Sequence, residues 1–331
     1  MDKLEEKLLE HQTDNFLVVR PGGNNGDHLI YIGLEKKLEE LGINYVVLRY
    51  HEKRKTTIFY RLYEKTRDML FKMVPIVKES KPLWMIIDDM VYKWTVREDK
   101  IQEQTSNVVL IHGGANLNDL WGHGLHLLRN VIKNNPHSAI IVAPQSYWFY
   151  KTRFQKLLKN SSQQICLFCR ERYSYNLLRS MNLPENVHVY LSDDTAFYLS
   201  KKNFHPIEGS YDLICPRRDK ESMVSWKLNG LERWEEGGII DLRKSKRRVF
   251  VGDISSDVDF DVFVKLIEGA RRVYTDRLHV AIFSAILAKE TFLYPSYYYK
   301  SKGVYEFSLR RYPNVKFIGA LEFSFARARC Y

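Results

Sequence analysis

Four cysteines in 331 residues are too few for a disulfide framework in a chain of this length. Cys166 and Cys169 have C-x-x-C spacing inside ICLFCRE, but no second pair completes a zinc site, and the run reads as a buried strand. Long apolar runs are also missing: the longest candidate, HVAIFSAILA, is about half the length that crosses a bilayer. The opening MDKLEEKLLEH is charged and amphipathic, without an apolar signal core. No repeat of fixed period and no low-complexity tract interrupts the chain. The dinucleotide fingerprint G-x-G-x-x-G is absent, which argues against a nicotinamide dehydrogenase, and no glycine turn continues into a P-loop. These absences lead to the expectation of a soluble cytoplasmic protein.

What is present is ordinary globular material, 45% hydrophobic and 27% charged, which excludes disordered and collagen-like classes. Lys and Arg number 51 against 40 Asp and Glu, so the formal net charge is +11. That surplus implies an anionic partner: nucleic acid, membrane headgroups or a phosphorylated metabolite. Short β-rich runs alternate with helical patterns from end to end. FLVVRPGG, YVVLRY, LWMIIDD, VVLIHGG, AIIVAPQ, ICLFCRE and VHVYLSDD come first; YDLICP, GIIDLR, RRVYT, TFLYP and VKFIG follow. Most lack strict alternation, as expected of strands buried on both faces of a parallel sheet. Between them lie helices such as HLIYIGLEKKLEELG, which closes on Gly42. The alternation predicts doubly wound α/β architecture, with too many strands for one comfortable sheet. The polar segment from Ser200 to Ser210, holding Pro206 and Gly209, is the natural boundary, giving domains 1–204 and 205–331. A helical stretch over 56–81 has no assigned role.

Ligands of open α/β sheets bind beyond the carboxyl ends of the strands, so the residues there carry most of the functional information. After the first strand, PGGNNGDHLI supplies Gly22, Gly23 and Gly26 for a tight turn, with Asp27 as a candidate cap for the next helix. After VVLIH, the segment GGANLNDLWGHG brings Asn116, Asp119 and Trp121, a composition that suits a sugar ring. The alternative is that Trp121 packs in the core and Asp119 belongs to a cap. Gln145 ends AIIVAPQ. Cations recur at the same topological position: Arg170 after ICLFC, Arg217 after YDLIC, Arg277 after RRVYT, and Lys300 beyond TFLYP. Any one of them can simply pair with a carboxylate. Together they form a candidate anion site, because guanidinium groups bind phosphate and carboxylate bidentately. His279 opens the apolar helix VAIFSAILA; it is either structural or, beside Arg277, a general acid or base.

Taken in order, these motifs resemble the polysaccharide pyruvyl transferase family over about Val18 to Phe307. The resemblance rests on GGNNGD at 22–27, GGANLNDLW at 113–121, PQS at 144–146 and RERYS at 170–174. DDTAF at 193–197, RRDKE at 217–221, TDRLH at 275–279 and the run around Lys300 complete it. It implies a GT-B-like fold, with two Rossmann-like domains facing across a cleft. It implies transfer of the enolpyruvyl unit of phosphoenolpyruvate to a sugar in a polysaccharide or its precursor, as a cyclic ketal with release of phosphate. Carried onto matching positions, His279 would be the catalytic acid/base, and Arg170, Arg217, Arg277 and Lys300 the donor-anion ligands. Gly23, Asn24, Asp27, Asn116, Asp119, Trp121 and Gln145 become acceptor-side candidates. No cofactor or metal is implied beyond phosphoenolpyruvate itself. Three departures from the usual pattern, Ala115, Glu171 and the tyrosine-rich YPSYYYK, bear on acceptor choice.

Two rivals use the same features. A GT-B glycosyltransferase would direct the arginines to a nucleotide sugar. A non-catalytic module for anionic glycans or nucleic acid would use the basic run Arg243 to Arg248, which otherwise reads as a solvated loop. No RNA-binding signature accompanies that run, so nucleic acid is not expected as a partner. Residues 241–331 hold 17 of the basic and 10 of the acidic side chains, so much of the surplus accompanies Arg277, His279 and Lys300. The charge therefore points to a small anionic donor. The expected acceptor is a glycan or a lipid-linked oligosaccharide, with at most peripheral contact between the protein and the inner membrane face.

Overall fold

The computed structural model describes residues 2–50 and 106–319 apart from 122, 220, 224–237 and 243–246, with isolated helical positions between 62 and 69. The strand expected at LWMIIDD, Cys330 and most of the helical stretch over 56–81 lie outside the described residues.

The first half begins with α1 (Lys3–Leu9), β1 (Phe16–Arg20), α2 (Asn25–Glu40), β2 (Tyr45–Arg49) and β3 (Val108–Ile111). It continues through α3 (His123–Asn134), β4 (Ala139–Gln145), α4 (Phe154–Leu158), β5 (Ile165–Cys169), α5 (Arg172–Arg179) and β6 (Val187–Leu191). Its strands form one sheet in the order β2-β1-β3-β4-β5-β6, every neighbour parallel. FLVV of β1 and VVLI of β3 are buried throughout, because helices cover both faces of the sheet.

The second half holds β7 (Tyr211–Cys215), β8 (Gly238–Leu242), β9 (Arg247–Val251), α6 (Ile254–Asp257), α7 (Phe260–Glu268) and β10 (Ala270–Thr275). It closes with α8 (Leu278–Ile286), β11 (Glu290–Leu293), α9 (Lys300–Phe307) and β12 (Val315–Phe317). The order is β12-β11-β10-β7-β9-β8, parallel except for the edge pair β8–β9. Two sheets of Rossmann-like order make a GT-B-like α/β chain. Strand β9 was not legible as a strand. Arg247 and Arg248 belong to the run expected as a solvated loop, yet they open β9 opposite Leu242 and Asp241. The density of charge there masks the short apolar VFV that follows. Among the described residues, no helix is long and apolar enough to cross a membrane.

Helix α2 ties the halves together. Its Leu34 and Leu38 pack with Phe16, Val18, Val108 and Leu110 under the first sheet. Leu29 instead joins the core of the second half, with Leu213, Val273, Ala281 and Phe283. Contact is close at Gly33, where a Cβ would stand 2.1 Å from the carbonyl oxygen of Thr195. Thr195 opens a 3₁₀ turn (Thr195–Tyr198), and its hydroxyl donates to the Ile30 carbonyl at 3.1 Å.

Candidate active site

The carboxyl ends of the two sheets meet around a cavity of about 520 Å³. Its walls come from the turn after β1, Asn116, Trp121 and His123 after β3, Arg170 after β5, and Arg217, Asp219 and Glu221 after β7. Residues 255–258 after β9, residues 277–279 after β10 and Lys300 at the head of α9 complete them. Strands β7 and β10 are neighbours, which sets Arg217 and Arg277 side by side. In such sheets this is where ligands bind.

One wall is a three-residue assembly. Arg170 is fully buried; its Nε donates to Ser146 Oγ at 2.8 Å and its Nη1 to Asp194 Oδ2 at 2.7 Å. The same Nη1 lies 3.1 Å from Nε2 of His279, which is itself 3.3 Å from Asp194 Oδ2. Asp194 also accepts the Ala196 N–H at 2.9 Å. Burial alone would raise the Asp194 pKa. The hydrogen bond and charge of His279, with the charge of Arg170, instead hold it well below the usual carboxylate range. Nε2 of His279 is thus engaged, while Nδ1 has no partner among the described residues and the side chain lines the cavity. Arg170 Nη2 is buried and unpartnered. A buried donor without an acceptor costs about 1–3 kcal/mol, so this atom keeps an unmet bonding capacity in the residue that lines the cavity.

The other expected cations are already paired. Arg217 reaches Asp219 with Nε at 2.7 Å and Glu221 with Nη1 at 2.5 Å. Arg277 grips Asp253 with Nε at 2.9 Å and with Nη2, and touches Asp219 with Nη1 at 3.0 Å. Lys300 is bonded to Glu221, whose second oxygen accepts the indole N–H of Trp121. Burial pushes the Lys300 pKa down to about 8, against the opposing pull of Glu221. Arg170, Arg217, Arg277 and Lys300 therefore face Asp194, Asp219, Glu221 and Asp253, four carboxylates for four cations. The open cationic cluster read from the sequence is a matched network, in which Arg170 keeps an unpartnered donor.

On the acceptor side, Gly23, Asn24, Asp27, Asn116 and Trp121 line the cavity. The helix cap is Asn24 rather than Asp27. Asn24 Oδ1 accepts the Gly26 N–H at 2.8 Å, and Asp27 reaches back to the Asn24 N–H at 2.9 Å, a capping box. Gly23 has φ +151°, and a Cβ there would lie 2.0 Å from Asp27 Oδ2. Asn116 Nδ2 is a second buried donor without a partner, while its Oδ1 sits 3.2 Å from His123 Nε2.

Asp119 and Gln145 do not reach the cavity lining. Asp119 Oδ2 accepts the N–H groups of Tyr150, Lys151 and Thr152 at 2.6, 2.6 and 3.0 Å, so its carboxylate is spent on shaping that loop. Gln145 is buried between the Asn116 N–H, accepted at 3.1 Å, and the His112 carbonyl, reached at 3.0 Å. The sequence reading missed Asp194, Asp219, Glu221, Asp253 and His123. Asp219 and Glu221 had a signal, two and four residues beyond Arg217, and Asp194 lies in DDTAF; Asp253 had none.

Comparison with known proteins gives the chain a family. The family model described as polysaccharide pyruvyl transferase matches residues 24–296. Pyruvyl transferase 1 of Schizosaccharomyces pombe is 26% identical over 200 residues, 53% of this chain and 48% of that protein. The chain thus matches about half the length of this curated relative. An uncharacterized Klebsiella pneumoniae protein of known structure is similar over 96% of this chain and 98% of its own, with TM-score 0.62 and 22% identity, which shows the shared fold. A UDP-GlcNAc 2-epimerase of Methanocaldococcus jannaschii aligns over 92% and 89% at TM-score 0.44 and 11% identity. With a family match across most of its length, the chain belongs to the polysaccharide pyruvyl transferase family.

Proposed function

We propose that the protein transfers the enolpyruvyl unit of phosphoenolpyruvate to two hydroxyls of one sugar in a polysaccharide or its precursor. The product is a cyclic pyruvate ketal, and phosphate is released. The observation that carries this reading is that Arg170 Nη2 and His279 Nδ1, neither with a partner among the described residues, belong to side chains of one wall of the cavity. A donor with a phosphate, a carboxylate and an alkene carbon needs an anion ligand beside a proton donor. The first turn of α8 carries no side-chain cap, so its N–H groups add to the attraction for the anion.

His279 delivers a proton to C3 of the donor, and cationic character develops at C2. One sugar hydroxyl adds to C2 and loses its proton; phosphate departs; the second hydroxyl adds and loses its own. One of the two hydroxyl protons restores His279, and the other leaves with phosphate. Asp194 orients the imidazole through Nε2, and Arg170 holds the leaving group. Arg217, Arg277 and Lys300 present fixed, carboxylate-braced charge along the opposite wall. Trp121, Asn116 and the turn at Gly23 and Asn24 face the sugar. A lipid-linked acceptor would be met from the cytoplasmic membrane surface.

The deciding experiment incubates the purified protein with phosphoenolpyruvate and a panel of glycans. The expected result is a mass gain matching a pyruvate ketal, with phosphate released in equal amount. Release of nucleoside diphosphate from sugar nucleotides, with no product from phosphoenolpyruvate, would replace this function by glycosyl transfer. In the productive reaction His279→Ala lowers turnover by at least about 10²-fold, the scale of a lost acid/base group.

A further inference from the structure

Beyond the cavity, the segment after β4 is extended, and its side chains divide between two sides. Tyr147 and Phe149 turn into the first-half core, where both contact Phe154. Trp148 and Tyr150 turn the other way. Their rings lie within 13° of parallel with centroids 6.5 Å apart, and Tyr150 is 59% exposed. Tyr297, from the second half, stands edge-on to Trp148 at 77° and 5.7 Å. The group is continuous with the cavity. Trp121, which lines it, packs on the same Leu120–Tyr298 cluster as Trp148, Tyr297 and Tyr299.

We propose that Trp148 and Tyr150, with Tyr297 as a side wall, form an outer acceptor subsite that holds a second sugar of the glycan. The inference rests on the reading that the acceptor is a glycan. Aromatic planes suit the apolar C–H face of a pyranose, and the exposed Tyr150 ring, nearly parallel to Trp148, offers such a plane. The flanking Lys151 and Arg153 are exposed and charged, which suits a polar polymer and not an acyl chain. The platform is held in place before any ligand arrives. Asp119 clamps three successive backbone N–H groups at 150–152 and the Thr152 hydroxyl, so little ordering remains to be done on binding. This gives the buried Asp119 its function: it fixes the outer subsite from behind.

The test is binding without donor. Glucose, mannose and galactose are compared with cellotetraose, β-1,4-mannotetraose and β-1,4-galactotetraose by saturation-transfer NMR and tryptophan fluorescence. At least one tetrasaccharide binds about tenfold tighter than its monosaccharide, the scale of one well-made aromatic contact. Tyr150→Ala reduces that gain, and Trp148→Ala with Tyr150→Ala removes it, while monosaccharide binding is unchanged. Trp148→Phe keeps the packing and part of the gain, which separates lost stacking from lost folding. The proposal is overturned if no series gains affinity with length, or if the double variant keeps the gain. A gain that follows the alkyl chain of a dodecyl glycoside, and not the number of sugars, also overturns it in favour of a lipid. Because no phosphoenolpyruvate is present, absent ketal formation would refute the proposed reaction and leave this result standing.

Discussion

Gly26→Ala separates catalysis from stability at a single atom. Gly26 lies in the first turn of α2, and its N–H already donates to Asn24, a bond that alanine keeps. The added Cβ would stand 2.8 Å from the Cβ and 3.0 Å from Nδ1 of His279. Ordinary contact between such atoms is about 3.5–4.0 Å, so α2 and the head of α8 must part by several tenths of an ångström. Two stability effects then oppose each other. Alanine gains about 1 kcal/mol over glycine in a helix, while overpacking costs about 1–3 kcal/mol. The net loss is about 0–2 kcal/mol, a few degrees in Tm at most for a chain of this size. The proposed reaction has no such compensation, because in it Nδ1 is the nitrogen left to move a proton. A misplacement near 1 Å costs about 10²-fold, so a shift of roughly half that lowers kcat about tenfold or more. The assay is phosphate release from phosphoenolpyruvate with a competent acceptor, alongside thermal unfolding. Gly33→Ala is the control: its clash is with the Thr195 backbone, so stability falls. Unchanged kcat in Gly26→Ala, or a Tm loss as large as that of Gly33→Ala, would refute the reasoning.

In the proposed reaction Lys300 attracts the anionic donor only while charged, and burial lowers its pKa to about 8. KM for phosphoenolpyruvate is expected to rise as pH passes upward through that value, and Lys300→Met should abolish the rise in a pH-dependent steady-state series. Burial also lifts Glu171, the N-cap of α5, from 4.5 to about 7. Its folded form holds the proton more tightly than the unfolded chain, so stability from this group is full below pH 4.5 and falls as pH climbs towards 7. That slope amounts to up to about 3 kcal/mol, and Glu171→Gln should flatten it in denaturant melts recorded across that range. Asp119→Ala strands three backbone donors and should cost at least about 2 kcal/mol in urea unfolding, with outer-sugar affinity lost as well.

Much of the fold was legible because buried parallel strands announce themselves as uninterrupted apolar runs. β1, β3, β4 and β5 follow that rule, whereas Arg247 and Arg248 hide β9, one strand in from the sheet edge, behind charge. At the site, Arg170, Arg277, His279 and Lys300 were found by their place after strands, since topology alone carries them to the cavity. Their partners were not. Asp253 meets Arg277 from a separate strand end, and no local spacing encodes that encounter. Asp119 and Asn116 lie three residues apart in the same segment and read alike, but one carboxylate turns back into the loop while the amide faces the cavity. Side-chain direction, set by the backbone of a loop, is the information a linear string withholds.

Helix α2 carries a consequence for recombining this chain with its relatives. By sequence it belongs to the first half, yet Leu29 and the face at Gly33 are fitted to the second half and to the turn at Thr195. A chimera joined at the polar segment 200–210 would pair a foreign second half with the wrong helix face. The exchangeable piece is the second half together with the outward surface of α2. Under the proposed function, acceptor range is therefore better altered by exchanging the loops after β3 and β4 than by swapping whole halves.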